Sequence, residues 1–263
     1  MSVAGRVESL WRYPVKSMHG EEVAEMFAGF AGVYGDRAYA FRSSAAPKGF
    51  PYYTGREHQA MVGYRVAYRQ IDRMAMPPNL AEAEALGPGL TLAYADPADQ
   101  IVEVTTPSGE VLSIDDPRLI ALLGQGGRDG RTLTLLRSDR ALTDCRPVSL
   151  ISIETIRQLS DEVGTELDKR RFRANIYIDA GRGPGFGEDA WVGRTLRIGA
   201  KAVVSVMDRD PRCKMITLDP DTGHATPEVM RVVARDHDGT AGVYAAVLVE
   251  GVIRAGDAIA LVD

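Results

Sequence analysis

Short runs of alternating, β-branched or aromatic residues, each broken off by Gly, Pro or Asp, recur along nearly all of this 263-residue chain. In the first half they are RVESLWRY (6–13), EVAEMF (22–27), RAYAFR (37–42), YRVAYR (64–69), LTLAYA (90–95), IVEVTT (101–106) and EVLSI (110–114). The second half continues with NIYID (175–179), RTLRIG (194–199), KAVVSVM (201–207), CKMITL (213–218), VYAAVLV (243–249) and DAIALV (257–262). Runs of this length and period put successive side chains on opposite faces, as strands do. PSGE (107–110), between two of them, predicts a hairpin turn. Helix signals are fewer. DDPRLIALLG (115–124) has Asp116 as N-cap, Pro117 at the first helical position and Gly124 as a stop. Ser152 caps IETIRQLSDEV (153–163), whose Ile153, Ile156 and Leu159 share one face, and Thr226 and Pro227 open a helix through Arg235. Many short strands with a few isolated helices predict an α+β chain, mostly β and barrel-like, instead of a parallel doubly wound sheet.

The glycine-rich GQGGRDGR (124–131) has no apolar side chain to bury, so it predicts a boundary between domains 1–124 and 125–263. With 45% hydrophobic residues the chain can build a real core. A net charge of -5 and a pI near 5.5 exclude a broad nucleic-acid footprint. No window approaches the roughly 18 continuous apolar residues of a membrane span. The opening MSVAGRVESLWRYPVK carries charge where a secretion signal needs apolar residues. The expectation is a cytoplasmic chain with neither nucleic acid nor membrane as partner. Two cysteines cannot form a disulfide framework, and no paired-cysteine or histidine spacing suits zinc or an iron–sulfur cluster. GRGPGFG (181–187) lacks the GK[ST] ending of a P-loop and reads as a plain loop.

Three stretches carry chemistry that a core does not need. YPVKSMHG (13–20) puts the Lys16 ammonium and Ser17 hydroxyl at a strand end; GVYGDR (32–37) puts Arg37 after a tight turn. DKRRFRANIYID (168–179) runs a cluster of cations into an apolar strand, with Arg173 and Asn175 at its mouth. Lysine, serine and arginine together suit a phosphate or another anion, because the arginine fork binds bidentately and the hydroxyl donates. A solvated face is the plainer reading of each stretch taken singly. Cys213 in DPRCKM is most simply a small buried hydrophobe. Its flanking Arg212 and Lys214 favour a thiolate that binds metal, and Pro211 predicts a strand start at a rim.

In this order, YPVKS (13–17), GDR (35–37), PVSLIS (147–152), RFRANI (171–176), GEDAW (187–191), RC (212–213), LDPDTG (218–223) and GVIRAGD (251–257) resemble the MOSC family, in its longer form with an N-terminal β-barrel domain. FPYYTGREHQAMVGY (50–64) is similar to a further, weaker region of that pattern. The resemblance implies a β-barrel N-terminal domain packed on a MOSC barrel and a molybdenum cofactor (Mo-molybdopterin), with no pyridoxal phosphate. It makes Cys213 the molybdenum ligand and places Asp144 near the metal. Lys16, Ser17 and Arg37 would then hold the terminal phosphate, and Arg173, Asn175 and Arg212 the pterin side. The implied activity is reduction of small N-hydroxylated compounds with electrons from a separate flavin, ferredoxin or cytochrome-type protein. The alternatives are a cofactor carrier without turnover and a carbon–sulfur bond-cleaving enzyme on the same scaffold. The chain departs from the pattern in reading DPRC where several members have C-x-R-C, in the alanine of RFRANI, and in Cys145.

Overall fold

The computed structural model describes residues 2–87, 90, 92, 96–125, 130–181 and 183–262. The expected strand LTLAYA (90–95) and the centre of GQGGRDGR lie for the most part outside the described residues. Strand dominates, at 35% against 24% helix, as the short alternating runs predict.

Seven strands close into a barrel. Round it run Ile176–Asp179, Val148–Ser152, Thr240–Val249, Ala202–Pro211, Thr195–Ile198, Ala258–Val262 and Ser2–Arg12. The last of these pairs back onto the first, with Leu10 opposite Ile176. Neighbours are antiparallel except for Val148–Ser152 beside Ile176–Asp179, a parallel pair. A parallel pair needs a crossover, and the helix Ile153–Val163 supplies it. Inward positions recur at every second residue: Leu196 and Ile198, Val204 and Val206, Val243 and Ala245, Ile176 and Ile178 are all fully buried in one cluster. One barrel strand thus comes from the first dozen residues and the others from beyond residue 147.

The rest of the N-terminal part forms small sheets round a second core that includes Phe41, Tyr53, Met61, Val104 and Leu123. PSGE turns the strand Val102–Thr105 into Val111–Ser113, as the sequence predicts. The two parts interlock, because Gly251–Arg254 pairs with Glu25–Gly29 and Leu133–Arg137 with Tyr39–Ser43. Ile153–Val163 and Pro227–Asp236 cover one side of the barrel with Ile156, Leu159, Val229 and Val233 against Phe172 and Tyr177. Ser152 caps the first of these, accepting from Thr155 N at 3.1 Å.

Two local readings need correcting. CKMITL is not a strand: the preceding strand runs on to Pro211, and Lys214–Thr217 forms a 3-10 turn with Cys213 as its N-cap. Thr217 Oγ1 closes that turn onto Lys214 O at 2.7 Å. A short helix, Leu80–Leu86, was not expected, since LAEAEAL has helix-forming residues but no apolar stripe.

Candidate functional site

Lys16, Ser17, Arg37, Asp144, Arg173, Asn175, Arg212 and Cys213 all line one polar cleft of about 100 Å3 between the barrel and the N-terminal sheets. Left-handed backbone sets several of them. Ser17 (φ 67°), Arg37 (φ 46°) and Arg173 (φ 53°) hold conformations that cost a residue with a Cβ roughly 1–2 kcal/mol. Such strain persists only where its surroundings enforce it, and it collects at ligand sites. Arg37 N donates to Tyr13 O at 2.7 Å, and Arg173 ends the 3-10 turn Lys169–Phe172.

The two arginines are built as a pair. Their guanidinium carbons lie 4.8 Å (Arg37) and 4.3 Å (Arg173) from the Tyr13 ring centroid, and Arg37 Nη2 donates to Arg173 O at 2.9 Å. Arg37 also donates to the buried Asp36 carboxylate. Arg173 Nη1 donates to Met18 O at 2.7 Å. Burial first, opposed by Tyr13 and reinforced by Arg37, brings the Arg173 pKa down to about 10, still a cation at neutral pH.

On the facing side Lys16 donates to Leu142 O at 2.8 Å and to Asp144, and its ammonium lies 4.6 Å from the Tyr52 ring centroid. Arg56 Nη2 donates to the other oxygen of Asp144 at 2.9 Å. Burial opposes ionisation of Asp144, but Lys16 and then Arg56 outweigh it and hold the carboxyl below its usual range. The Ser17 hydroxyl has no hydrogen-bond partner among the described residues.

Arg212 Nε donates to Ala241 O at 2.6 Å and Nη1 to Phe172 O at 2.8 Å. Asn175 spends its amide on the barrel wall: Oδ1 accepts from Ser149 N at 3.2 Å and Nδ2 donates to Trp11 O at 3.3 Å. LDPDTG is a tight turn in which Asp219 Oδ1 accepts from Thr222 N at 2.9 Å and its hydroxyl at 2.8 Å.

Four donors are left over. Arg56 Nε, Arg171 Nε, Arg173 Nη2 and Arg212 Nη2 are buried without a hydrogen bond, and all four residues line the cleft. A buried orphan donor costs about 1–3 kcal/mol. Four of them beside the Ser17 hydroxyl make a receptor for an anion with several acceptor oxygens. Among the described residues no three His, Cys, Asp or Glu converge as a metal site, so a metal at Cys213 must arrive with ligands of its own.

Residues 4–117 match the MOSC N-terminal beta barrel domain and residues 137–260 the MOSC domain. The chain belongs to the MOSC family. Among its relatives is mitochondrial amidoxime reducing component 2 of Macaca fascicularis, 27% identical over 240 residues, spanning 83% of this chain and 68% of that protein. Molybdenum cofactor sulfurase 2 of Culex quinquefasciatus is 31% identical over 137 residues, covering 48% of this chain and 17% of that one. The solved YUAD protein of Bacillus subtilis aligns over 97% of this chain and 93% of its own, at 13% identity and a TM-score of 0.48.

Sequence reasoning gave no role in this MOSC chain to Arg56, Arg171, Asp210 or Tyr244, which also line the cleft. Arg56 lay within a quoted segment, and Asp210 in the DPRC departure. Tyr244 sits in a plain strand and carried no signal. Cys145 is exposed and lines a separate, more apolar groove with Phe30, Pro147 and Leu248. No helix among the described residues is long and apolar enough to cross a membrane.

Proposed function

We propose that this chain binds a molybdenum cofactor in the cleft and reduces N-hydroxylated compounds with electrons from a separate redox protein. The observation that carries the reading is the meeting of one cysteine with four orphan arginine donors in a single cleft. The donor set fits such a group: a soft thiolate suits a metal that brings sulfur ligands, and guanidinium forks suit a phosphate.

Cys213 holds the metal. Ser17, Arg37 and Arg173 take the phosphate, with Lys16 adding charge from beside it. Arg212 and Arg171 hold the side nearer the pterin, and Asn175 keeps the wall beneath them rigid. Asp144, ionised between Lys16 and Arg56, accepts a hydrogen bond from an N–H or O–H of the substrate and orients it. When bound, the cofactor supplies two-electron redox chemistry at molybdenum, between the +IV and +VI states. The amidoxime-reducing name of one relative supports the substrate class, by family analogy. A flavin, ferredoxin or cytochrome-type protein is the expected electron donor.

Molybdenum and pterin analysis of the purified protein, followed by benzamidoxime reduction with a chemical reductant, tests the reading. Stoichiometric cofactor with turnover supports it. Cofactor without turnover replaces it with a carrier, and activity in molybdenum-free protein with other chemistry, such as carbon–sulfur bond cleavage.

A further inference from the structure

The strand Ala202–Pro211 leaves its ladder at Asp210. Arg209 pairs with Val243 and Pro211 with Thr240, so the register breaks between them and the extra residue lies on the facing strand, where Ala241 and Gly242 stand opposite Asp210 alone. The carboxyl opposite that bulge faces inward: Asp210 is 2% exposed between exposed Arg209 and Pro211, and it lines the cleft.

Its hydrogen bonding is thin for so buried an acid. Arg212 Nη2 lies 2.9 Å from Asp210 Oδ2, yet that nitrogen makes no hydrogen bond, so it sits off the N–H axis. Tyr244, on the neighbouring strand Thr240–Val249, lines the cleft with it, and its hydroxyl favours the ionised carboxylate. Burial dominates and raises the Asp210 pKa to about 6, against Arg212, Tyr244 and Arg37, which lower it, and with Asp144, which raises it. Of the two carboxyls lining the cleft, Asp144 stays ionised and can only accept; Asp210 can carry a proton at working pH.

The proposed reduction needs such a proton. R–NH–OH takes two electrons, from the separate redox protein, and two protons, giving R–NH2 and water as the N–O bond breaks. We propose that Asp210 is the acid that protonates the departing oxygen, with Tyr244 as its positioning residue. The second proton and the one that restores Asp210 come from solvent water. This rests on the reductase reading above.

The test compares parent, Asp210→Asn and Tyr244→Phe. In metal-free protein, carboxyl-carbon NMR should find a group titrating near pH 6 in the parent, missing from Asp210→Asn and displaced upward in Tyr244→Phe. In loaded protein, kcat for benzamidoxime should fall as pH rises through about 6. Asp210→Asn should lose roughly a hundredfold in kcat, the usual size of a general-acid contribution, with KM and molybdenum content kept and the pH profile flat. Parent-like kcat and pH profile in Asp210→Asn overturn the inference alone, as does an Asp210 that titrates near pH 4. If Asp210→Asn does not fold, Tyr244→Phe decides, because it leaves the charge of the cleft intact; an unmoved titration and pH profile there overturn the inference. A loaded parent that reduces no N-hydroxylated compound overturns the functional reading and this inference with it.

Discussion

Lys16 donates to the Asp144 carboxylate across 128 positions of sequence. The contact ties the strand end after Tyr13 to the loop before Pro147. Burial lowers the Lys16 pKa, and Asp144 is the main opposing influence. Asp144→Asn should therefore let the Lys16 pKa fall further, readable by NMR of a 15N-labelled lysine. The Asp144 side chain is 38% exposed, so solvent screens the pair and the loss at pH 7 should be about 1–2 kcal/mol by urea unfolding. Its folded pKa lies below the unfolded one, so this stability is present above about pH 4 and is lost as pH falls through the folded pKa. The gap between parent and variant should narrow from pH 5 to pH 3; a constant gap would remove the charge explanation.

Arg37 and Arg140 make a contrasting pair. Arg37→Ala should cost roughly 1.5–3 kcal/mol of cofactor binding, about ten- to a hundredfold in affinity, by titration calorimetry. Arg140→Ala, at an exposed loop position, should bind as the parent does. The Asp36 side chain that Arg37 neutralises is 0% exposed, so Arg37→Ala should also destabilise the fold, by roughly 3–5 kcal/mol. Arg37→Lys keeps the charge and should recover part of both losses.

The cysteines differ in exposure and in neighbours. Maleimide should label exposed Cys145 quickly and Cys213 more slowly, and bound cofactor should protect Cys213 alone. Cys213→Ser should fold but lose molybdenum and reductase activity, because a hydroxyl is a poor ligand for a soft site. Full activity in Cys213→Ser would leave the thiol without a metal role. Cys145→Ser should match the parent in both assays.

Glu188 predicts stability and not activity. Its buried carboxylate accepts from Ser152 N at 3.0 Å, Ser152 Oγ at 2.8 Å and Thr155 Oγ1 at 2.8 Å, pinning the helix start at 152–155. Glu188→Ala removes the acceptor of three buried donors, of which Ser152 Oγ keeps Thr155 Oγ1 at 2.9 Å; each stranded donor costs about 1–3 kcal/mol, not additively. A loss on the order of 3–5 kcal/mol in urea is expected; a loss under about 1 kcal/mol would mean that water replaces the carboxylate.

Strand-rich architecture was readable in the order of residues because alternation and turn chemistry are local. The helix Ile153–Val163 has the predicted bounds because Ser152 caps it and Gly164, at φ 77°, stops it, each next to it in the sequence. CKMITL misled because its apolar residues are not buried in a sheet: Ile216 packs under the following helix, in one cluster with Val229 and Val232, and Leu218 makes only an isolated bridge to Ala225. The cleft divides in the same way. Lys16, Ser17, Arg37, Arg173 and Cys213 sit in short motifs that name them. Only the tertiary structure brings Arg56 to Asp144, leaves four buried guanidinium nitrogens without a hydrogen bond, and buries Asp210 beside Tyr244. The sequence determined which side chains were available. Their charge state and spare hydrogen bonds depend on desolvation and on neighbours within a few ångströms in space, and those are set by which strands close the barrel.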